Sequence, residues 1–332
     1  METQLSLFAA PAADRPRVSL TVLQPSPRNG AWLKREAGEL KRIALAAAEG
    51  RTSVEVDLTA YDLIVINTSG GKDSVVMLDR VAKQAIAQGV LDRVVVVHCD
   101  LGRVEWGGTR ELAERQAAHY GLELRVVSRG KGDLLDQIEH QRKKFPAKGV
   151  AQFCTSDQKT AQVKKLITAE LAAIRVERGL KARASLRVLE CLGMRAGESG
   201  TRSKLSPFDA ATRNPDYVKG AKGARGQAWL GRSNGSRKVD VWLPIFDITS
   251  RAVWAHIDDN GLEYHRAYDL GMSRLSCAFC VLASIEDLRI SGRENRELLN
   301  EYVRVEKAIG HTFKNGWAIA TLAAELDAED AS

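Results

Sequence analysis

Three groups of residues in this chain have types and spacings that could do chemistry. The first is Ser69-Gly70-Gly71-Lys72-Asp73-Ser74. Two glycines let a backbone turn tightly and bring N–H groups up to an anion, while Ser69 and Ser74 offer hydroxyl donors and Lys72 a charge. The second is Cys277-Ala278-Phe279-Cys280, a spacing common to zinc and iron–sulfur sites. The third is Arg195 and Arg202, with Glu198 and Ser199 between them. Their planar forks suit phosphate oxygens, and a plain surface ion pair with Glu198 is the alternative for each.

These groups need a scaffold, and the hydrophobic pattern supplies one. Leu63–Asn67 is a continuous apolar run suited to a parallel strand buried on both faces. A Gly turn and a helix over Asp73–Gln88 follow. Further strands are expected at Val94–His98, Leu124–Ser128, Leu186–Leu192 and Val241–Ile245. Helices are expected at Trp32–Glu49, Gly108–Tyr120, Ser156–Glu177 and Ser250–Asn260, and a helical tail over Ile285–Leu326. Alternating strand and helix predicts an α/β fold, a doubly wound parallel sheet of about five strands with a Cys-rich, helical C-terminal flank. The expected divisions are a loose arm over 1–30, an α/β domain over 31–270, and the Cys-x-x-Cys segment with its helices over 271–332.

In that frame the six-residue loop sits between the first strand and its helix. The helix start adds unpaired N–H donors and a positive dipole end, so a nucleotide phosphate is the expected ligand. It is not a Walker loop, because Ile66 stands where that motif needs its first Gly and Asp73 follows Lys72. A dinucleotide fingerprint is absent from it too. The plain alternative is an ordinary turn capped by Asp73 or Ser74. Lys72 is expected as an exposed loop side chain.

Composition narrows the class. Of 332 residues, 44 % are apolar and 27 % charged, which is globular, and no apolar run approaches the roughly 20 residues of a membrane span. The start, Met1-Glu2-Thr3-Gln4, lacks a basic lead into an apolar stretch, so a cytoplasmic protein without a membrane partner is expected. Five cysteines then read as metal or redox chemistry rather than a disulfide framework. The net charge of +7 is matched by the segment 202–238 alone. That segment holds nine Lys/Arg against Asp209 and Asp216. It is Gly-rich, contains Trp229, and is read as a nucleic-acid contact, with a merely solvated loop as the alternative. His140–Lys148, with Arg142, Lys143 and Lys144, forms a second basic cluster.

Ser-Gly-Gly-x-Asp-Ser after a buried strand resembles the pyrophosphatase loop of the adenine-nucleotide α-hydrolase superfamily. Further residues resemble the phosphoadenosine phosphosulfate (PAPS) reductase family within it. These are Asp100-Leu101-Gly102, then Gly193-Met194-Arg195-Ala196-Gly197-Glu198-Ser199 with Arg202, then Trp242-x-Pro244-Ile245, Tyr268-Asp269-Leu270-Gly271 and Arg274-x-x-Cys277-x-x-Cys280. The resemblance implies ATP with Mg²⁺ as cofactor, held by Ser69–Ser74, Asp100, Gly193 and Arg195. It implies Lys72, Asp73 and Arg195 in catalysis, and Glu198, Ser199, Arg202 and Arg274 against the substrate.

Cys154 stands where cluster-bearing sulfonucleotide reductases place a Cys pair. The resemblance therefore implies a 4Fe-4S cluster on Cys154, Cys277 and Cys280, with the fourth iron open or held by Cys191. A structural zinc and inert thiols are the alternatives. Cys99 reads as core, and Cys191 as either core or ligand. No cysteine follows Cys280, whereas sulfonucleotide reductases use a tail cysteine. The expectation is therefore an ATP-dependent sulfurtransferase like those of bacterial DNA phosphorothioation. It would act on DNA beside a cysteine desulfurase as sulfur donor and other phosphorothioation proteins. A PAPS or APS reductase-like enzyme, a tRNA thiolation enzyme and a non-catalytic nucleic-acid-binding module are the alternatives.

Overall fold

The computed structural model describes residues 30–147, 152–210 and 233–332. The 1–29 part of the expected arm, Lys148, and the core of the basic insertion (Arg213, Lys219, Lys222, Arg225, Trp229 and Arg232 among it) lie outside the described residues.

Helix α1 (Gly30–Ala48) precedes β1 (Leu63–Thr68), α2 (Lys72–Ala87), β2 (Val94–Asp100), α3 (Thr109–Ala118) and β3 (Leu124–Ser128). A short turn α4 (Leu134–Asp136) runs into a π-helical turn, Gln137–Arg142. A second π turn, Ser156–Thr160, leads into α5 (Ala161–Glu177). Then come β4 (Leu186–Leu192), β5 (Phe208–Asp209), β6 (Arg237–Trp242) and α6 (Ser250–Asp259). Helices α7 (Ile285–Glu294), α8 (Arg296–Ile309) and α9 (Ile319–Asp330) close the chain.

The sheet has six strands in the order β3-β2-β1-β4-β6-β5, all parallel except the two-residue β5, which runs antiparallel to β6. The expected fifth strand is displaced. It spans Arg237–Trp242 rather than Val241–Ile245, so its first residues come from the stretch read as an insertion. Pro244 supplies no N–H for a continuing ladder. The expected helix from Ser156 is α-helical only from Ala161.

Alternate residues of each strand feed opposite layers. Ile64, Ile66, Leu189 and Cys191 pack with α2 and α6 residues such as Met77 and Ile257. Leu63, Val65 and Val188 pack with Val163, Ile167 and Leu171 of α5. The C-terminal flank has its own core, in which Leu288, Tyr302, Phe313 and Leu322 meet Leu101, Trp106, Leu135 and Phe153. The chain leaves β1 toward β2 and β3, then returns to place β4 on the other side of β1. That reversal opens a crevice beyond the carboxyl ends of β1 and β4, where open α/β sheets take their ligands.

Candidate active site

Both loops at this crevice are drawn together by glycine. Gly70 turns with φ of +67°, a left-handed conformation that suits a residue without Cβ. Gly193, just after β4, lies so near that a Cβ on it would stand 3.1 Å from the Asp73 carbonyl oxygen. Helix α2 begins at Lys72 on a Gly71 N-cap that gives no side-chain bond, so neither Asp73 nor Ser74 is an ordinary cap. The first turn of a helix leaves its N–H groups without helical acceptors. Tyr268 Oη accepts the N–H of Lys72 at 3.0 Å. Those of Asp73 and Ser74 have no acceptor among the described residues, and they open beside the exposed Ser69. Ser74 braces the loop from inside, donating to the Gly71 carbonyl at 2.8 Å and accepting the Ser69 N–H at 3.3 Å.

Lys72 is not an exposed side chain; it is 5 % exposed. Its ammonium lies over the Tyr268 ring, 3.2 Å from Asp73 Oδ2 and 3.4 Å from the Ser273 carbonyl. Arg195 is 3 % exposed and its fork is taken up by the protein. Nε donates to Asp73 Oδ1 at 2.6 Å, Nη1 pairs with Glu39 and donates to the Ile248 carbonyl at 3.2 Å, and Nη2 donates to Ser250 Oγ at 3.0 Å. Both oxygens of Asp73 thus face protein cations, which tie this carboxylate between Lys72 and Arg195. Burial alone would raise its pKa, and Lys72 and Arg195 bring it below the usual range. Glu39, on α1, went unnoticed in the sequence because its acceptor role depends on a fold contact 156 residues away.

The remaining nucleotide and substrate candidates are spread along the same edge. Asp100 Oδ1 accepts the Gly102 N–H at 2.7 Å and holds the turn after β2. Glu198 pairs with the half-exposed Arg202 and accepts the Arg195 N–H at 2.9 Å; Ser199 Oγ accepts the Arg202 N–H at 3.1 Å.

The segment after Tyr268 joins this loop to the cysteines. Tyr268 Oη also accepts the Leu275 N–H at 3.1 Å, and Leu275 packs against Gly70 and Gly71. Asp287, at the start of α7, holds Ser273 through its N–H and hydroxyl, at 2.7 and 2.8 Å. Beyond it, Cys277 and Cys280 lie with Cys154 at the margin of the C-terminal core. Burial raises the Cys154 thiol, and pushes the Cys277 thiol up to about 12. Lys159, projecting from the second π turn, bears on Cys277, Cys99 and Cys154.

Cys191 does not join them. It is fully buried in the α2-side layer with Leu189 and Trp242, because odd-numbered positions at this end of β4 point to that face. Cys99 packs against the α5-side core and the C-terminal core, with Sγ 3.9 Å from the Lys159 carbonyl. The signal that separates the two is strand parity, which needs the sheet to be known.

Residues 63–283 match the phosphoadenosine phosphosulfate reductase domain family. The chain belongs to that family. It is an enzyme of the family, and the match runs from β1 past Cys280. No curated protein matches the chain in sequence. Among solved structures it is similar to phosphoadenylyl-sulfate reductase from Candida auris, at 14% identity and a TM-score of 0.39, over 71% of this chain and 93% of that one. It is similar to Candida glabrata FMN adenylyltransferase at 12% identity and a TM-score of 0.40, over 78% and 69%. The U34-tRNA thiolase NcsA of Methanococcus maripaludis, solved with its 4Fe-4S cluster, gives 13% and 0.36, over 83% and 77%. Likenesses this distant carry no argument about chemistry.

Among the described residues no group of three or more His, Cys, Asp or Glu could hold a metal ion, and no helix is long and apolar enough to cross a membrane. One observation bears on a larger group. Arg274 Nη2 donates to Cys280 Sγ at 3.4 Å, while its Nε is buried with no acceptor among the described residues. An orphaned buried N–H on a side chain that holds the Cys280 thiol fits a site whose acceptor arrives with a bound group.

Proposed function

We propose that this PAPS reductase family enzyme is an ATP-dependent sulfurtransferase that splits ATP to AMP and pyrophosphate and replaces an oxygen of its acceptor with sulfur. The observation that supports it is the bridge Tyr268–Cys280. One segment braces the phosphate loop through Tyr268 and Ser273 and carries two of the three clustered cysteines. Nucleotide and sulfur chemistry would then share one sheet edge.

In this reading the free N–H groups of Asp73 and Ser74, with the Ser69 hydroxyl, bind the β- and γ-phosphates and offset the charge that develops on departing pyrophosphate. Asp73, fixed between Lys72 and Arg195, keeps the loop open to the crevice. An acceptor oxygen, such as a non-bridging phosphate oxygen of DNA, attacks the α-phosphorus and expels pyrophosphate. Hydrosulfide-level sulfur then attacks the activated centre, and AMP leaves with the original oxygen, releasing one proton. Cys154, Cys277 and Cys280 would hold a 4Fe-4S cluster, which supplies a place to store sulfide. Arg274 would donate to it, through Nη2 to the Cys280 sulfur and through the orphaned Nε. DNA phosphorothioation is the acceptor chemistry favoured by the resemblance, in the cytoplasm, with a cysteine desulfurase as donor whose persulfide sulfur a thiol reductant brings to the hydrosulfide level, the thiol being oxidised to disulfide.

The test is anaerobic purification, iron and sulfide analysis, and a nucleotide assay with and without DNA. AMP and pyrophosphate as products, with sulfur entering the acceptor, uphold the reading. ADP as product, or sulfite release from PAPS with no ATP turnover, overturns it.

A further inference from the structure

Beyond the carboxyl end of β3, away from the β1–β4 crevice, lies a second concavity of about 540 Å³. Its walls include Arg129, Lys131, Gln141, Arg142, Asp157 and Lys165. Asp157 is the one acidic wall residue, and it is occupied: Arg142 Nη2, Gln137 Nε2 and Ser156 Oγ donate to it at 2.6, 2.7 and 2.7 Å. Among the described residues the other cations have neutral partners or none. Arg129 donates to the Lys131 carbonyl at 2.7 Å and to Gln141 Oε1 at 2.6 Å, and Lys165 to Gln162 Oε1 at 3.1 Å. Lys131 and, on the adjoining rim, Lys143 and Lys144 are exposed and form no ion pair among the described residues.

The backbone around this concavity is irregular in a telling way. Both π turns border it, the first with Gln137, Gln141 and Arg142, the second with Asp157. Such turns are uncommon and are frequently kept at functional sites. Lys143, which ends the first turn, is the only non-Gly described residue with positive φ, at 53°. One wall residue touches the segment that carries Cys154. Arg142 lies 5.2 Å over the Phe153 ring, and Phe153 adjoins Cys154.

We infer that this surface binds the phosphodiester backbone of a nucleic acid. Five cations without acidic partners, spread over an open concavity and its rim, match charges repeated along a polymer. A single tetrahedral anion would instead need donors converging on one point. Backbone recognition of this kind is electrostatic and releases counterions. The purpose of a bound strand, delivery to the sulfur chemistry, rests on the sulfurtransferase reading; the binding itself does not.

The test is fluorescence anisotropy of labelled duplex DNA, single-stranded DNA and an RNA hairpin with the full chain, at low and fourfold higher salt. The variant is Arg129→Ala with Lys131→Ala, Lys144→Ala and Lys165→Ala; Lys143 is left because of its backbone. The expected result is a loss of about tenfold or more at low salt, with the slope of log affinity on log salt flattened by about 0.9 per lost duplex contact or about 0.7 per single-strand contact. The arm that loses most identifies the nucleic acid. ATP affinity, read by calorimetry, and the unfolding curve are expected to stay at wild type. A variant that binds all three as wild type does, at both salts, overturns the inference while leaving ATP turnover to AMP untouched. Failure of that turnover with intact strand binding overturns the sulfurtransferase reading alone.

Discussion

Arg195 Nε donates to Asp73 Oδ1 at 2.6 Å, across 122 residues, and so fastens the loop after β4 to the loop after β1. Arg195 is buried and Asp73 half-buried, and Glu39 and Ser250 complete the set around the guanidinium. Removing one partner of such a pair strands the others in a low-dielectric site, at a cost of about 3–5 kcal/mol. Arg195→Ala is therefore expected to lower stability by that order and to raise KM for ATP. Urea unfolding checks the first and an AMP-forming assay the second. An Arg195→Ala protein as stable as wild type would refute the role of this pair in organising the loop.

Ser69 and Lys72 are expected to separate binding from stability. Ser69 is exposed at the crevice, so Ser69→Ala is expected to raise KM for ATP with an unaltered unfolding curve. Lys72 is turned inward to Asp73, Ser273 and Tyr268. Lys72→Ala is expected to cost about 1–3 kcal/mol, the usual loss when a buried hydrogen-bonding charge is removed. Equal effects of the two changes on both measurements would contradict the placement of Lys72.

The cysteines make a sharp contrast. Cys154→Ala, Cys277→Ala and Cys280→Ala are each expected to abolish or strongly reduce iron and acid-labile sulfide in anaerobically purified protein. Cys191→Val, on the opposite face of the sheet, is expected to leave both at wild-type content. One zinc per chain and no sulfide would instead favour the structural-metal alternative.

Asp79 offers a pH test remote from the crevice. It is 1 % exposed and receives Tyr120 Oη at 2.5 Å, His256 Nε2 at 2.7 Å and Lys83 Nζ at 2.8 Å, tying α2 to the turn after α3 and to α6. Burial alone would raise its pKa, but the hydrogen bonds from Lys83, Tyr120 and His256 bring it below the ordinary value. A carboxyl lowered by folding contributes stability above its unfolded pKa, about 3.9, and loses it as pH falls through the folded value. The Tm gap between wild type and Asp79→Asn is thus expected to be constant at neutral pH and to shrink below about pH 4. A gap that widens on acidification would reverse the sign.

Local sequence determined a good deal of this protein. Apolar runs such as Leu63–Ile66 suit strands buried on both faces, and a Gly-Gly turn between such a strand and a helix places Ser69–Ser74 at the strand's carboxyl end. Contacts set by the sheet lay beyond that logic. Whether Cys191 or Cys99 neighbours the Cys-x-x-Cys pair depends on which face each strand presents, and one residue of register reverses it. The Arg195 fork looked free in the sequence because Glu39 and Ser250 reach it only when α1 and α6 dock on the β4 loop. Lys72 looked exposed because Tyr268 and Ser273 arrive from nearly 200 residues downstream. Spacing along the chain gave the reactive residue types and their local geometry. Tertiary packing decided which charges face the crevice, because a buried charge persists only where distant partners close around it.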